Sequence, residues 1–240
     1  MTTANLTLQS PSPPSVLRAA GAGARHITPV VMGLVPLGIA IGVAAAASPL
    51  DDAVGWATGP ILFSGASQLT AIELLGAHAG AVTVLLSVLV LNARFVLYSA
   101  ALAPLLSDQP AWFRALGPYF LVDPVVATVS DPAIRADGGT WWRWHFLGAA
   151  STLWVTWLVA IAAGLVLGPS VDPAWGLDLA APLCLTAILG RRLRDRVNSV
   201  AAAAGAAAAL LAFVAPSGAA VLAATVAGTA AAASMSQSTR

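Results

Sequence analysis

Charged side chains are scarce in this chain of 240 residues. Only 9% of the residues are charged, lysine is absent and Glu73 is the sole glutamate, whereas 58% are hydrophobic and the mean hydropathy is +0.84. A water-soluble fold of this size needs many more charged and polar side chains to cover its surface. The composition therefore excludes an ordinary soluble protein and predicts that most of the chain lies in lipid.

Two further absences exclude classes of function. All 11 basic residues are arginine and the formal net charge is +1, so no basic stripe is available for nucleic acid. Cys184 is the single cysteine, which excludes a disulfide framework and a paired-thiol metal or redox site. The sequence also lacks a phosphate-binding glycine loop ending in Gly-Lys-Ser or Gly-Lys-Thr, so nucleotide hydrolysis is not expected and no cofactor is predicted.

Apolar runs recur along the chain between short breaks rich in Pro, Gly, Asp or Arg. They lie at about 26–47, 54–76, 80–106, 115–130, 142–168, 175–190, 197–214 and 217–236. A crossing needs about 20 residues, so the longer runs are expected to span the membrane. The runs at 115–130 and 175–190 are short and contain proline, and we expect them to be broken or only partly crossing. The sequence predicts an all-α polytopic membrane helix bundle of seven or eight segments.

A single membrane domain is predicted between two short tails. Residues 1–25 contain Pro, Ser and Thr but no long apolar core, so we expect a polar cytoplasmic tail and not a signal peptide. The transmembrane helical domain is predicted over 26–236, and a short C-terminal tail over 237–240.

Arginine placement predicts the orientation, because positive charge accumulates in cytoplasmic loops. With the N-terminus inside, eight crossings leave only Arg114 on the outer side. The arginines that then face the cytoplasm are Arg18, Arg25, Arg135, Arg143, Arg191, Arg192, Arg194, Arg196 and Arg240. Both termini are therefore predicted to be cytoplasmic.

Polar side chains at mid-depth in a membrane are costly, and the second segment contains three of them. Ser64, Ser67 and Gln68 lie three and four residues apart and so share one helical face. Gly59-Pro60 precedes them and is expected to interrupt the helix, which frees backbone groups as in the broken helices of transporters. The alternative is that these side chains only hydrogen bond one helix to another.

Arg94 falls near the middle of the third segment, too deep to reach either surface easily, and needs an anionic partner. On a regular helix Tyr98 lies one turn further along the same face, whereas Asn92 points roughly the opposite way. Asp123 lies near the midpoint of the fourth segment, so we predict that it pairs with Arg94, and that Pro124 bends the helix beside it. Such a pair is either structural or opens when a charged ligand or a proton arrives.

Three histidines and a tryptophan cluster lie near predicted membrane boundaries. The histidines are expected to be interfacial, and the tryptophans, with an arginine among them, are expected to anchor the chain at the headgroup level. These residues are His26, His78, His145, Trp141, Trp142, Arg143 and Trp144. The last two segments are almost pure Ala, Val, Leu and Gly, and we expect them to pack against another helix or subunit.

The residues by themselves favour a secondary carrier. A passive channel is the main alternative, but its polar residues should line a continuous pore, whereas here they concentrate in the first half of the chain. Gly65-Ala66-Ser67 also resembles the nucleophile region of intramembrane serine proteases, which use Ser and His from different helices. Against that reading, Gln68 follows the serine and the histidines lie near the boundaries.

Three stretches of the sequence carry a family resemblance. They are Phe63-Ser64-Gly65-Ala66-Ser67-Gln68, the run from Leu91-Asn92-Ala93-Arg94 to Ala103-Pro104, and the run from Trp175 to Leu183. Their order and spacing resemble the AzlC family of branched-chain amino-acid permeases, over about residues 28–235. That family usually has an Asp-Glu pair in the fourth segment, where this chain has Asp123-Pro124, a difference that bears on substrate identity or proton coupling.

The resemblance implies that the chain is the large subunit of a two-component permease in a bacterial cell membrane. Its partner would be a small hydrophobic membrane subunit of the AzlD type. Its substrates would be branched-chain amino acids, and often methionine. Export of these substrates in exchange for protons is implied by the resemblance alone.

An amino-acid zwitterion needs a cation for its carboxylate, an acid or carbonyls for its ammonium group, and a small apolar pocket. Arg94 is expected to bind the carboxylate, and Asp123 to receive the ammonium group or a coupling proton. The predicted substrate-binding residues are Ser64, Ser67, Gln68, Asn92, Arg94 and Tyr98.

Overall fold

A computed structural model describes residues 16–137, 139–170, 199–200, 202–207 and 227. Over these ranges the chain is helical and has no strand, which confirms the predicted all-α class. The predicted segment at 175–190, Cys184 and nearly all of the segment at 217–236 lie outside the described residues.

The described residues between Val16 and Ser170 form nine α-helices. Their bounds are α1 Val16–Ala47, α2 Asp52–Leu62, α3 Gly65–Gly76, α4 Ala81–Asn92, α5 Arg94–Ser107, α6 Ala111–Leu116, α7 Asp123–Val129, α8 Pro132–Asp137 and α9 Gly139–Leu167. Two 3₁₀ turns lie at Gly117–Phe120 and Gly168–Ser170. Helix α1 thus begins inside the stretch predicted as a polar tail.

In the part of the chain that the structure describes, three helical stretches are long and apolar enough to cross a membrane. They are Val16–Ala47, Ala81–Ser107 and Gly139–Ser170. Large apolar side chains also remain exposed along α4 and α5, where they suit lipid and not water. These are Val82, Leu85, Leu86, Leu89, Val96 and Leu97.

The chain divides into two compact units. The first unit comprises the chain up to Met32 together with Tyr98–Leu153, and the second comprises Gly33–Leu97 with the chain from Trp154 onward. Helices α1, α5 and α9 each contribute residues to both units.

Glycines bring α1 and α9 into backbone contact within each unit. In the first unit, a Cβ atom at Gly23 would lie 2.0 Å from the carbonyl oxygen of His145. In the second, a Cβ atom at Gly42 would lie 2.2 Å from the carbonyl oxygen of Ile161. No other residue fits at either place, and small residues are what allow membrane helices to approach this closely.

The predicted crossing over 54–76 is a helical hairpin instead. Helices α2 and α3 are 11 and 12 residues long, each too short to cross alone, and they pack against each other. A Cβ atom at Gly76, where α3 ends, would lie 3.4 Å from Cδ of Pro49, just before α2 begins. The two ends of the α2–α3 hairpin are therefore adjacent, and the chain turns back at Phe63–Ser64.

The fourth predicted segment, 115–130, is broken, as its length and prolines indicated. The residues on either side of it lie together in the first unit. Gln109 Nε2 donates to the carbonyl oxygen of Gly139 at 3.3 Å, and Arg143 Nη1 donates to Oε1 of Gln109 at 3.1 Å. The two flanks of this segment are therefore adjacent, whereas the eight-crossing arrangement predicts that they lie on opposite sides of the membrane.

Two residues expected at the headgroup level are buried instead. Trp142 is 0% and His145 1% exposed. The indole Nε1 of Trp142 donates to the carbonyl oxygen of Val129 at 3.2 Å, and the ring of His145 stacks on Trp141 with centroids 5.0 Å apart. The boundary expectation was wrong for them because α1, α6 and α7 cover the first turns of α9.

Candidate functional site

The polar stretches predicted as functional all lie where a helix is interrupted. Ser64 lies between α2 and α3, Asn92 and Arg94 flank the break between α4 and α5, and Asp123 begins α7. Backbone groups at such breaks lack the partners that a continuous helix provides. Side chains, water or a ligand can then take the place of those partners.

The first break lies at Phe63–Ser64 and not at Gly59-Pro60, where it was predicted. Helix α2 continues through Pro60 to Leu62, because a proline in the last turn removes only one hydrogen bond. The chain then reverses at Phe63, whose φ of 40° is in the left-handed region. Ser64 follows in an extended conformation as the N-cap of α3, and its side chain makes no capping hydrogen bond.

A chain of hydrogen bonds links this break to the one between α4 and α5, within the second unit. Arg94 Nη2 donates to Ser64 Oγ at 3.0 Å, and Ser64 donates to Ser67 Oγ at 3.2 Å. Ser67 in turn donates to Oδ1 of Asn92 at 2.5 Å. We refer to Ser64, Ser67, Asn92 and Arg94 as the serine–arginine cluster. Both serines are buried.

Asn92 lies on the same side as Arg94, contrary to the prediction from a regular helix. The helix is tightened at this point, since the N–H of Ala93 donates to the carbonyl oxygen of Val90, three residues back, at 3.2 Å. Helix α5 then starts afresh at Arg94. The irregularity lets both side chains reach the same pair of serines.

Positive charge is concentrated at the serine–arginine cluster. The N-terminus of a helix carries a partial positive charge, and the guanidinium of Arg94 contacts the residue that caps α3. A carboxylate suits such a place, because it accepts both from a guanidinium fork and from backbone N–H groups. The cluster is thus chemically suited to a small organic anion.

Gln68 lies one turn beyond Ser64 on α3 and is 0% exposed. Its Oε1 accepts a hydrogen bond from the indole Nε1 of Trp157 at 3.1 Å. Its Nε2 has no partner among the residues that the structure describes. Sequence reasoning missed Trp157, which lies in an apolar run of α9; the available signal was that a buried indole N–H needs an acceptor.

The remaining predicted residues, Tyr98 and Asp123, meet in the first unit. The hydroxyl of Tyr98 donates to Oδ1 of Asp123 at 2.5 Å. Pro124 lies in the first turn of α7, where a missing N–H costs no helical hydrogen bond. Pro124 therefore starts a helix. The prediction that it bends a helix was wrong. The pairing of Asp123 with Arg94 stays a prediction.

A model of the AzlC protein family matches residues 29–171, more than half of the chain. The chain belongs to the AzlC family. The AzlC match includes the serine–arginine cluster, Tyr98, Asp123 and Trp157, and it confirms the resemblance carried by the first two sequence stretches. The third stretch, Trp175 to Leu183, lies beyond the match and outside the described residues.

A curated AzlC relative is also similar. It is the inner membrane protein YgaZ of Escherichia coli (strain K12), 26% identical over 170 residues, which cover 66% of this chain and 68% of YgaZ. No solved structure matches the chain. The AzlC membership and the apolar helices together make this an integral membrane protein.

Proposed function

We propose that this AzlC-family membrane protein is the large subunit of a secondary transporter that exports branched-chain amino acids, with methionine as a further substrate. The serine–arginine cluster carries the proposal. It sets a guanidinium beside the N-terminus of a half-helix, in a hairpin that turns back between helices long enough to cross a membrane. A transport family also points away from an enzyme.

In this proposal the substrate carboxylate binds at Arg94, Ser64 and the first N–H groups of α3. Apolar side chains lie directly beside that position. A Cβ atom at Gly65, the first residue of α3, would lie 3.2 Å from Cη2 of Trp157 and 3.7 Å from Cδ2 of Leu37. The indole and the leucine provide the kind of surface on which a branched aliphatic side chain packs.

Asp123 is proposed to receive the substrate ammonium group or a coupling proton. The hydrogen bond from Tyr98 supports this role, because it holds a carboxylate oxygen of Asp123 in a fixed position. Tyr98 lies one helical turn after Arg94 in α5.

The proposed orientation has the N-terminus in the cytoplasm, and the two hairpin-like segments strengthen it. Helix α1 then crosses outward, the α2–α3 hairpin stays on the outer side, and α4–α5 crosses back. Arg114, Arg135 and Arg143 consequently join Arg18 and Arg25 on the cytoplasmic side. In the eight-crossing arrangement Arg114 was the one arginine on the outer side. In the present arrangement it is cytoplasmic too, as the preference of arginine for the cytoplasmic side predicts.

A small AzlD-type membrane subunit is the proposed partner, and the alanine-rich segments after residue 196 are its proposed docking surface. The serine protease alternative has little support, since Ser67 donates to an asparagine amide and accepts from another serine, neither of which is a general base. No contact among the described residues favours a passive channel.

Counterflow in liposomes tests the proposal. Liposomes with this chain, with and without the co-expressed small subunit, are loaded with unlabelled leucine, isoleucine, valine or methionine and receive the labelled form outside. Saturable accumulation of label that requires the small subunit is expected. Uptake without saturation or exchange would indicate a channel, and absence of accumulation for all four amino acids in folded protein would refute the proposed substrate class.

A further inference from the structure

Trp157 contacts two helices of the second unit, α1 and α3, next to the turn of the α2–α3 hairpin. A Cβ atom at Gly38 of α1 would lie 3.6 Å from Cε3 of the indole, and one at Gly65 of α3 would lie 3.2 Å from Cη2. The indole Nε1 donates to Gln68 at 3.1 Å. The ring is 7% exposed, so two glycines and one hydrogen bond fix its position.

The fixed indole determines which way the carboxamide of Gln68 faces. An indole N–H is only a donor, so the oxygen of the carboxamide must face Trp157 and the nitrogen must face away from it. The nitrogen lies next to Gly59 of α2, where a Cβ atom would be 3.5 Å from Nε2. The side chains of Ile161 and Leu158 lie closer still to that Cβ position, at 3.0 and 3.1 Å, so glycine here allows apolar groups to pack beside the amide nitrogen.

Gln68 Nε2 is a buried donor without an acceptor in the described part of the chain. Buried donors that lack an acceptor are unfavourable, and native proteins rarely keep them without a purpose. Ser64, which accepts from Arg94, lies one turn earlier on the same helical face. Gln68 therefore lies one helical turn from the residue that joins the proposed carboxylate site, with its backbone N–H donating to the carbonyl oxygen of Ser64 at 2.8 Å.

We infer that Trp157 is a positioning residue for substrate binding, which holds Gln68 so that Nε2 donates to a carboxylate oxygen of the substrate. The inference rests on the proposed function and adds an amide donor to those already proposed there, which are Arg94, Ser64 and the first N–H groups of α3. The indole does two things at once: its ring borders the site beside Gly65, and its N–H sets the direction of the amide.

A double-mutant cycle in the counterflow assay tests this role. Trp157→Phe keeps an aromatic ring and removes the N–H, and Gln68→Ala removes the amide. Each is expected to raise the KM for leucine about tenfold, the loss of roughly one hydrogen bond, with little change in maximal rate. The double variant is expected to show no further increase in KM, because Trp157 acts through Gln68.

Trp56→Phe is the matched control. Trp56 is a half-exposed tryptophan on α2, and its substitution should leave KM unchanged.

Gln68→Glu keeps an oxygen for Trp157 but replaces the Nε2 donor with a second oxygen. It should abolish saturable leucine counterflow in a protein that still folds, so the test does not depend on Trp157→Phe being stable. Three results would each overturn the inference: retained counterflow in Gln68→Glu, an unchanged KM in Trp157→Phe, or multiplying effects on KM in the double variant. The proposed function would still stand in those cases, provided that the wild-type protein transports leucine. A wild-type chain inactive with all four amino acids would overturn both.

Discussion

Helices α1 and α9 meet the demands of a membrane differently from the α2–α3 hairpin and the α4–α5 helix. Within the second unit, α1 and α9 keep their helices unbroken and approach through glycines such as Gly42. The α2–α3 and α4–α5 pairs are interrupted, and Ser64, Ser67, Asn92 and Arg94 satisfy one another at the interruptions. The comparison teaches that the long helices approach each other through small residues, whereas the breaks hold the hydrogen-bonded polar groups that we propose recognise a substrate.

The largest effect is expected from removing the charge at the breaks. Arg94→Ala should lower leucine counterflow on the order of a hundredfold or more, because it deletes the cation that is proposed to bind the carboxylate. Arg94→Lys, which keeps the charge and loses the planar fork, should retain part of the activity. Counterflow and melting temperature in detergent are measured together, and normal transport in a folded Arg94→Ala protein would contradict the assignment.

A single added methyl group should disrupt the close packing of α1 against α9. Gly42→Ala should destabilise the fold by about 3 kcal/mol, since the added Cβ atom would lie 2.2 Å from the carbonyl oxygen of Ile161. Gly33→Ala on the same helix is the matched control, because nothing lies within 4 Å of its Cβ position. Thermal unfolding in detergent should separate the two variants; equal melting temperatures would show that the close approach is not important for stability.

A smaller effect is expected at the far end of the hydrogen-bond chain. Asn92→Ala removes the acceptor of Ser67 and should cost about 1 kcal/mol in binding, a several-fold rise in KM for leucine. Ser87→Ala, a serine on α4 outside the cluster, should behave as wild type. An Asn92→Ala protein with unchanged KM would mean that the cluster functions without its asparagine.

The last prediction concerns the topology of the chain, and the substitutions that test it should leave leucine counterflow unchanged. In a chain whose Cys184 is replaced by serine, Arg114→Cys should react with a membrane-impermeant maleimide only from the cytoplasmic side. That result follows from a fourth segment that returns to its own side. Labelling from the outside would restore the eight-crossing arrangement.

The sequence indicated which polar residues lie together better than it predicted the path of the chain. Ser64, Ser67 and Arg94 stand out because polar groups are expensive in lipid, and the structure brings them together. The hairpin was missed because the apolar run at 54–76 is as long as a crossing, and hydropathy does not reveal a reversal at Phe63. The direction of Asn92 was missed because a regular helix was assumed through Ala93.

Other features depended on tertiary contacts that a single sequence does not show. Trp142 and His145 lie within two residues of Arg143 in the chain, yet α1, α6 and α7 bury them. Trp157 lies in a run of apolar residues, and only the fold shows that its N–H meets Gln68. A search for buried indoles and amides that need partners would be the sequence-level route to such pairs.

Competition between leucine and leucinol tests the central claim most directly. Leucinol keeps the ammonium group and the branched side chain and lacks the carboxylate. If the serine–arginine cluster binds the carboxylate, excess unlabelled leucine should abolish accumulation of labelled leucine in wild-type liposomes, whereas a hundredfold excess of leucinol should leave it nearly unchanged. Equal inhibition by the two compounds would contradict the account, because the break between α2 and α3 would then not be a carboxylate site.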